Sequence, residues 1–393
     1  MKNNYKQTIN ACFVGYIVQA IVNNFAPLLF VTFRNTFGIP LSKITLLISL
    51  NFIIQLTVDL LSARLIDKIG YRTAMLSAHL FSGLGLILLA VLPYVMNNSF
   101  AGLLISVIIY AVGGGILEVL VSPIVEACPT DNKEKAMSLL HSFYCWGHML
   151  VVLVSTLFFT LFGIENWRIL AIIWALIPIC NAVMFTRVPI APLVEDGTKS
   201  MSIKELLTSK LFIVLFIMMI CSGASEQAVS QWASTFAMQG LGVTKTVGDL
   251  AAPLSFAALM GTSRAIYGKF GDKLPQAKAL PACCLLCVFS YLLISLSPIP
   301  ALSLIGCGIC GFSVGIMWPG TFSLSSSFLK NGGTAMFALL ALGGDLGCTA
   351  GPAVVGFVSS AFSDNLKIGI LLAIAFPLIL LICTRLLKIT KKQ

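Results

Sequence analysis

Apolar runs of about 20 residues or more recur about twelve times along the chain, separated by short gaps that hold most of its charges. A helix rises about 1.5 Å per residue, so each run can cross a hydrocarbon core about 30 Å thick. Only 10% of the 393 residues are charged and 58% are hydrophobic, against roughly 25% charged residues in a soluble domain. No soluble core hides that much apolar surface. The bilayer interior offers no water to backbone amides, so the runs are expected to be helices. The expected spans are 8–33, 43–63, 73–96, 99–127, 136–162 and 167–187, then 211–237, 249–268, 278–297, 301–328, 334–362 and 366–386. The fourth, tenth and eleventh exceed the bilayer thickness, which a tilt or kink must absorb.

An even number of spans puts both termini on one side, and Lys and Arg report which side that is. Of the 25 Lys and Arg, only Arg34, Lys43, Arg168, Lys245 and Lys367 fall opposite the termini, which are therefore expected in the cytoplasm. The net charge of +10 follows from that asymmetry and points to anionic lipid headgroups rather than nucleic acid. The first apolar run is too long for a cleavable signal peptide, so the first helix is expected to act as its own insertion signal. Most of the 12 Cys lie inside spans, where they behave as small apolar residues. Cys283, Cys284 and Cys287 have no His or acid near them in sequence, and no metal site is expected.

The stretch 188–210 is the longest polar segment and reads as a cytoplasmic linker between an N-terminal bundle at 1–187 and a C-terminal bundle at 211–393. Ser202 with Glu205 three residues later marks a short helix start. The two halves echo each other. Asp67 follows the second span and Asp272 the eighth; Gly113, Gly114, Gly115 and Pro123 in the fourth span correspond to Gly308, Gly311, Gly315 and Pro319 in the tenth. Gly/Pro-interrupted helices at matching positions of two halves point to a transporter's central site. The fold class expected is an all-α membrane protein, with twelve transmembrane helices in two pseudo-symmetric six-helix bundles.

The loop Ala63 to Arg72 resembles the signature loop of the major facilitator superfamily, with Leu65, Asp67, Lys68, Gly70 and Arg72 in place, Ala63 where Gly is usual and Tyr71 where a base is common. The resemblance covers essentially the whole chain. A narrower one runs through spans four, five and seven. Glu118 ahead of Pro123, the run His141, Ser142, Phe143, Tyr144, and Glu226 with Trp232 are similar to the fucose:proton symporter-type branch. That resemblance implies a proton-coupling role for Glu118. Where the branch's sugar symporters can carry another acid in span one, this chain has Gln19, Asn23 and Asn24.

An ionised carboxylate at the centre of a membrane helix costs at least ~2.5 kcal/mol on insertion scales, which makes such a residue a functional candidate. Glu118, Glu226 and Asp345 are the proton-coupling candidates. Gln19, Asn23, Asn24, His141, Tyr144, Trp146, Trp232 and Trp318 are the substrate-binding candidates, amides and hydroxyls for a sugar's rim and rings for its apolar face. Asp59, Arg64, Asp67, Arg72, Arg264 and Asp272 are the gating candidates, with Asp59 expected to point toward the cytoplasmic loop. His79 and His148 read as packing residues, and Trp167 as an interfacial anchor. Glycines 343, 347 and 351 read as close helix packing.

No nucleotide-binding motif occurs, and no cofactor and no catalysis are expected. The function read from these features is secondary transport by alternating access through a site between the bundles, with a small polar, sugar-like solute moved together with protons. The chain is expected to be a monomer in a bacterial cytoplasmic membrane. A proton-antiport exporter of drugs or metabolites is the alternative, and a non-transporting sensor a further one.

Overall fold

The computed structural model describes residues 5–129, 133–191, 201–270, 276–329 and 332–390. Asp272 lies outside these ranges, and the side chains of Arg64 and Asp67 lie outside the described ones. The described residues are helical, without strands, and the chain divides into two compact units, Met1–Glu195 and Asp196–Gln393.

In the first unit, α1 (Tyr5–Asn24) runs through a 3-10 turn (Ala26–Leu29) into α2 (Phe30–Phe37). Pro27 causes the turn, because it has no N–H to continue the α-helical ladder. Next come α3 (Leu41–Ile69), α4 (Tyr71–Val95), α5 (Ser99–Ala127), α6 (Lys133–Phe162) and α7 (Trp167–Arg187). Gly70 alone separates α3 from α4, at φ +79°, a conformation that glycine adopts without steric cost. Arg72, one residue into α4, donates to Phe185 O at 2.6 Å and Val188 O at 2.8 Å. These carbonyls sit at the end of α7, where no intrahelical donors remain, so the guanidinium caps that helix.

The second unit opens with α8 (Ile203–Thr208), whose Ser202 and Glu205 form a complete capping box. It continues through α9 (Lys210–Ser230), α10 (Ala233–Thr235), a π-turn (Phe236–Gly240), α11 (Lys245–Asp249), a second π-turn (Leu250–Leu254) and α12 (Ser255–Phe270). Then follow α13 (Gln276–Leu296), α14 (Pro300–Val314), α15 (Met317–Phe328), α16 (Gly333–Ala361), α17 (Leu366–Ala373) and α18 (Ala375–Thr390).

Eleven helices among the described residues are long and apolar enough to cross a membrane. The remaining expected span, 249–268, corresponds to the second π-turn and α12, and Asp249 and Arg264 lower its apolarity. Of the three overlong spans, α5 and α16 stay continuous across Pro123 and Pro352. The tenth breaks between α14 and α15, just before Pro319. Pro319 cannot donate to the carbonyl four residues back, that of Gly315; Arg264 Nε donates to it instead, at 3.2 Å.

Glycines set how closely helices approach. A Cβ on Gly347 would lie 1.9 Å from Ile220 O, and one on Gly351 2.3 Å from Ala224 O, so α16 rests on α9 with backbone against backbone. Trp167, expected as an interfacial anchor, is instead 1% exposed, between Phe33 and Tyr94. The neighbouring Arg168 lies over the Tyr94 ring at 4.2 Å and donates from Nε to Ala90 O at 2.6 Å.

Candidate functional site

In the first unit polar side chains of three helices long and apolar enough to cross a membrane meet. Gln19 of α1 donates from Nε2 to Glu118 Oε2 of α5 at 3.0 Å and to Gln55 Oε1 of α3 at 3.1 Å. Gln55 Nε2 donates to Asn23 Oδ1 at 2.8 Å, and Asn51 Nδ2 donates to the same oxygen at 3.2 Å. All four amide residues are buried. Apolar helices tolerate them because they bond to one another. Asn24, three residues before Pro27, bonds back to Ala20 O of its own helix at 2.9 Å and takes no part.

The glycine triplet of α5 makes this convergence possible. Consecutive helical residues point about 100° apart, so each glycine faces a different neighbour. A Cβ on Gly113 would lie 2.5 Å from Ala78 O of α4, and one on Gly115 3.0 Å from Gln55 Cα of α3. One on Gly114 would lie 3.1 Å from Gln19 Oε1 and 3.4 Å from Gln55 Cδ. The triplet therefore lets α1, α3 and α4 close onto α5 where the amides are.

Asn51, Gln55 and Asp59 follow at intervals of four along α3, hence on one face. Asp59, expected near the cytoplasmic loop, has a carboxylate oxygen within 4.8 Å of one on Glu118. Gln55 and Asn51 were missing from the candidates read off the sequence. The amide row on an otherwise apolar helix was the signal that could have found them.

Beside the network lies an aromatic strip. Tyr16 Oη and Ser122 Oγ are 2.8 Å apart, and the Tyr16 and His141 rings are 5.6 Å apart. Phe13 stacks on Phe143 at 4.5 Å, and Phe143 meets the half-exposed Trp146 edge-on at 5.2 Å. His141 is exposed and Tyr144 partly buried. His79 is fully occupied elsewhere: Nδ1 is 2.7 Å from Met75 O and Nε2 is 2.7 Å from Asn181 Nδ2, which also donates to Ala11 O. The neutral tautomer with the proton on Nδ1 satisfies both contacts. His148 is buried.

In the second unit, Glu226 of α9 pairs with Arg264 of α12, Oε2 to Nη2 at 3.4 Å. Gln227 Nε2 donates to Glu226 Oε1 at 3.2 Å, and Gln231 Nε2 to Gln227 Oε1 at 3.0 Å. Two candidates from different classes, an acid for coupling and a base for gating, thus form one partly buried pair. Trp232 is fully buried and donates from Nε1 to Pro352 O at 3.0 Å, which ties α16 to the end of α9 and leaves its ring no exposed face. The partly buried Trp318 lies over Gly344, where a Cβ would fall 2.1 Å from its Cη2. Asp345 is buried on α16, and its carbonyl accepts from Thr349 Oγ1 at 3.0 Å. A further ion pair was not foreseen: Asp249, 0% exposed, accepts from the partly buried Lys245 Nζ at 2.8 Å and from Ser234 Oγ at 2.5 Å.

The family model described as Major Facilitator Superfamily matches residues 11–352. No curated protein matches the chain. Among solved structures, it is similar to the E. coli fucose:proton symporter at 17% identity and a TM-score of 0.68, covering 98% of this chain and 99% of that one. A bacterial homologue of the human lysosomal transporter Spinster, inward-facing and occupied, is 15% identical with a TM-score of 0.76, covering 99% and 97%. A D-xylose-proton symporter is 12% identical with a TM-score of 0.73, covering 94% and 96%. At these identities the likeness is one of fold.

Proposed function

Because the chain belongs to the major facilitator superfamily, whose members are transporters rather than enzymes, we propose that it is a secondary active transporter that moves a small polar, sugar-like solute by alternating access, coupled to protons at Glu118. The observation that carries this reading is the setting of Glu118. Its carboxylate, on a helix able to cross the membrane, is held by a neutral amide donor at the end of a buried amide network. Amides both donate and accept, which suits the hydroxyls of a sugar, and Tyr16, His141 and Trp146 supply rings nearby for its apolar face. Two of the fold neighbours carry the words proton symporter in their descriptions, one for fucose and one for xylose, which supports this choice of solute class. The excess of Lys and Arg on the side of the termini supports a cytoplasmic location for both ends.

The test is uptake by reconstituted proteoliposomes under an imposed pH gradient, with a panel of labelled monosaccharides, organic acids and amino acids. The expected result is accumulation of a monosaccharide that collapses with a protonophore and is lost in Glu118→Gln, while facilitated exchange of the same solute survives. Accumulation that persists in Glu118→Gln would remove that residue from coupling. Accumulation of an organic acid or amino acid alone would refute the solute class.

A further inference from the structure

The hydrogen bonds around Glu118 have a direction. Gln19 commits both Nε2 hydrogens, one to Glu118 Oε2 and one to Gln55 Oε1. Gln55, its oxygen thus engaged, turns its own Nε2 to Asn23 Oδ1. Every amide in the series is oriented by the one before it, and the first is oriented by a carboxylate that can only accept. The arrangement has a penalty: Gln19 Oε1, against Gly114, and Asn51 Oδ1 are buried without hydrogen-bond partners. A buried amide oxygen left unbonded is unfavourable, and an ionised Glu118, which needs donors, would offset that cost.

We propose that Gln19 and Gln55 form a relay that converts the protonation state of Glu118 into the orientation of Asn23; this rests on the reading of Glu118 as the proton site. One proton from solution adds to a Glu118 oxygen and makes the group a donor. Gln19 then rotates its amide so that Oε1, previously without a partner, accepts that proton's hydrogen bond. Its Nε2 leaves Gln55 Oε1, and Gln55 answers by turning Nε2 toward Gln19. Asn23, which accepted from Gln55 and Asn51, is left facing an oxygen and presents its own Nδ2, and Asn51 turns so that its Oδ1, previously without a partner, accepts. No proton moves beyond Glu118; what travels is the sense of the hydrogen bonds. A solute hydroxyl at Asn23 therefore meets an acceptor in one protonation state and a donor in the other. Gln19 and Gln55 are positioning residues in this scheme, and Gln55 is one that no motif of the sequence marks.

Other ionisable groups face Glu118 from its neighbouring helices within the first unit. Asp59 of α3 has a carboxylate oxygen within 4.8 Å and competes for the same proton. Tyr16 of α1 reaches α5 at Ser122, one turn along, and His141 of α6 lies beyond it at 5.6 Å between rings. His79 of α4 is committed to Met75 and Asn181.

The proton itself is the probe. Infrared difference spectra are recorded as pH is changed on the full-length protein in proteoliposomes, with carbon-13 asparagine incorporated and Asn23→Ser used to assign the Asn23 amide band. The expected result for the unmodified protein is a protonated-carboxyl band, absent in Glu118→Gln, and an Asn23 band that shifts along the same titration curve. In Gln55→Met the carboxyl band remains and the Asn23 shift is lost. Gln19→Met, which breaks the relay at its other member, gives the same loss, and circular dichroism checks that each variant is folded. An Asn23 band that stays still while the Glu118 band titrates in the unmodified protein overturns the relay, as does a shift that survives both Met variants. If Glu118→Gln removes no protonated-carboxyl band from the spectrum, the proton reading is overturned instead, so the two failures are distinct.

Discussion

Alanine substitutions at the three adjacent glycines of α5 should separate packing from function within one helical turn. Alanine gains about 1 kcal/mol over glycine in helix propensity at each position, and what opposes that gain is what the new methyl meets. At Gly113 it would lie 2.5 Å from Ala78 O and 2.6 Å from Ser82 N, both backbone. Restoring ordinary contact moves α4 away by the better part of an ångström, and overpacking of this kind costs about 1–3 kcal/mol or more. Gly113→Ala is therefore expected to be net destabilising, by up to about 2 kcal/mol. At Gly115 the nearest atoms are Val58 Cβ at 2.9 Å and Gln55 Cα at 3.0 Å, so the two effects nearly cancel. At Gly114 the methyl meets Val22 Cγ1 at 3.0 Å, Gln19 Oε1 at 3.1 Å and Gln55 Cδ at 3.4 Å, all of them side-chain atoms that can shift. Gly114→Ala is expected to be as stable as the parent or more so, and yet impaired in proton-driven uptake because it displaces the amides. Thermal unfolding in detergent ranks the stabilities, and proteoliposome uptake ranks the activities. The reasoning fails if Gly114→Ala is the least stable of the three, or if Gly113→Ala unfolds at the parent temperature.

Two further outcomes follow from the second unit. Arg264→Gln leaves Glu226 with the Gln227 amide but without the guanidinium, and weakens the support of the Gly315 carbonyl; removing one partner of a fully buried pair costs roughly 3–5 kcal/mol, and the loss here is expected to be smaller because the guanidinium is 17% exposed and 3.4 Å away. Glu226→Gln in that background should restore part of the stability, and no restoration in a double-mutant cycle would show that the pair is not coupled. The Glu205 carboxylate lies below its usual pKa because the Ser202 backbone N–H and hydroxyl donate to it. A depressed folded value means that the capping contribution is present above the unfolded pKa and is lost as pH falls through the folded one. Hydrogen exchange at the Ser202 amide, corrected for intrinsic rates, should therefore quicken across that acidic window, and Glu205→Gln should abolish the step.

Helix existence was legible because it follows from a local property, apolar length, while the breaks were legible only in part. Pro27 and Pro319 both end a ladder, whereas Pro123 and Pro352 lie inside continuous helices. At Pro319 the abandoned carbonyl, that of Gly315, accepts instead from Arg264, 51 residues earlier. Sequence distance hid the site in the same way. Glu118, Gln19 and Asn23 stand out as polar residues in apolar runs, but only the approach permitted by Gly114 and Gly115 reveals that Gln55 joins them. Trp232 shows the converse. Its place in a motif suggested a ring for stacking, and burial against Pro352 makes it a fastening between helices.

Glu118 and Glu226 differ in what a proton would do to them. Glu226 accepts from the amide of Gln227 and pairs with the Arg264 guanidinium, which has five donors and no acceptor; neutralising the acid removes the negative charge that the partly buried guanidinium faces. Glu118 faces the amide of Gln19, which carries an acceptor on the same rotating group as its donors. An amide can turn round to meet a carboxylic acid, and a guanidinium cannot. A site that exchanges protons in every cycle must be tolerable in both protonation states; around Glu118 the Gln19 amide offers a partner for each, whereas around Glu226 the Gln227 amide can turn and the guanidinium cannot.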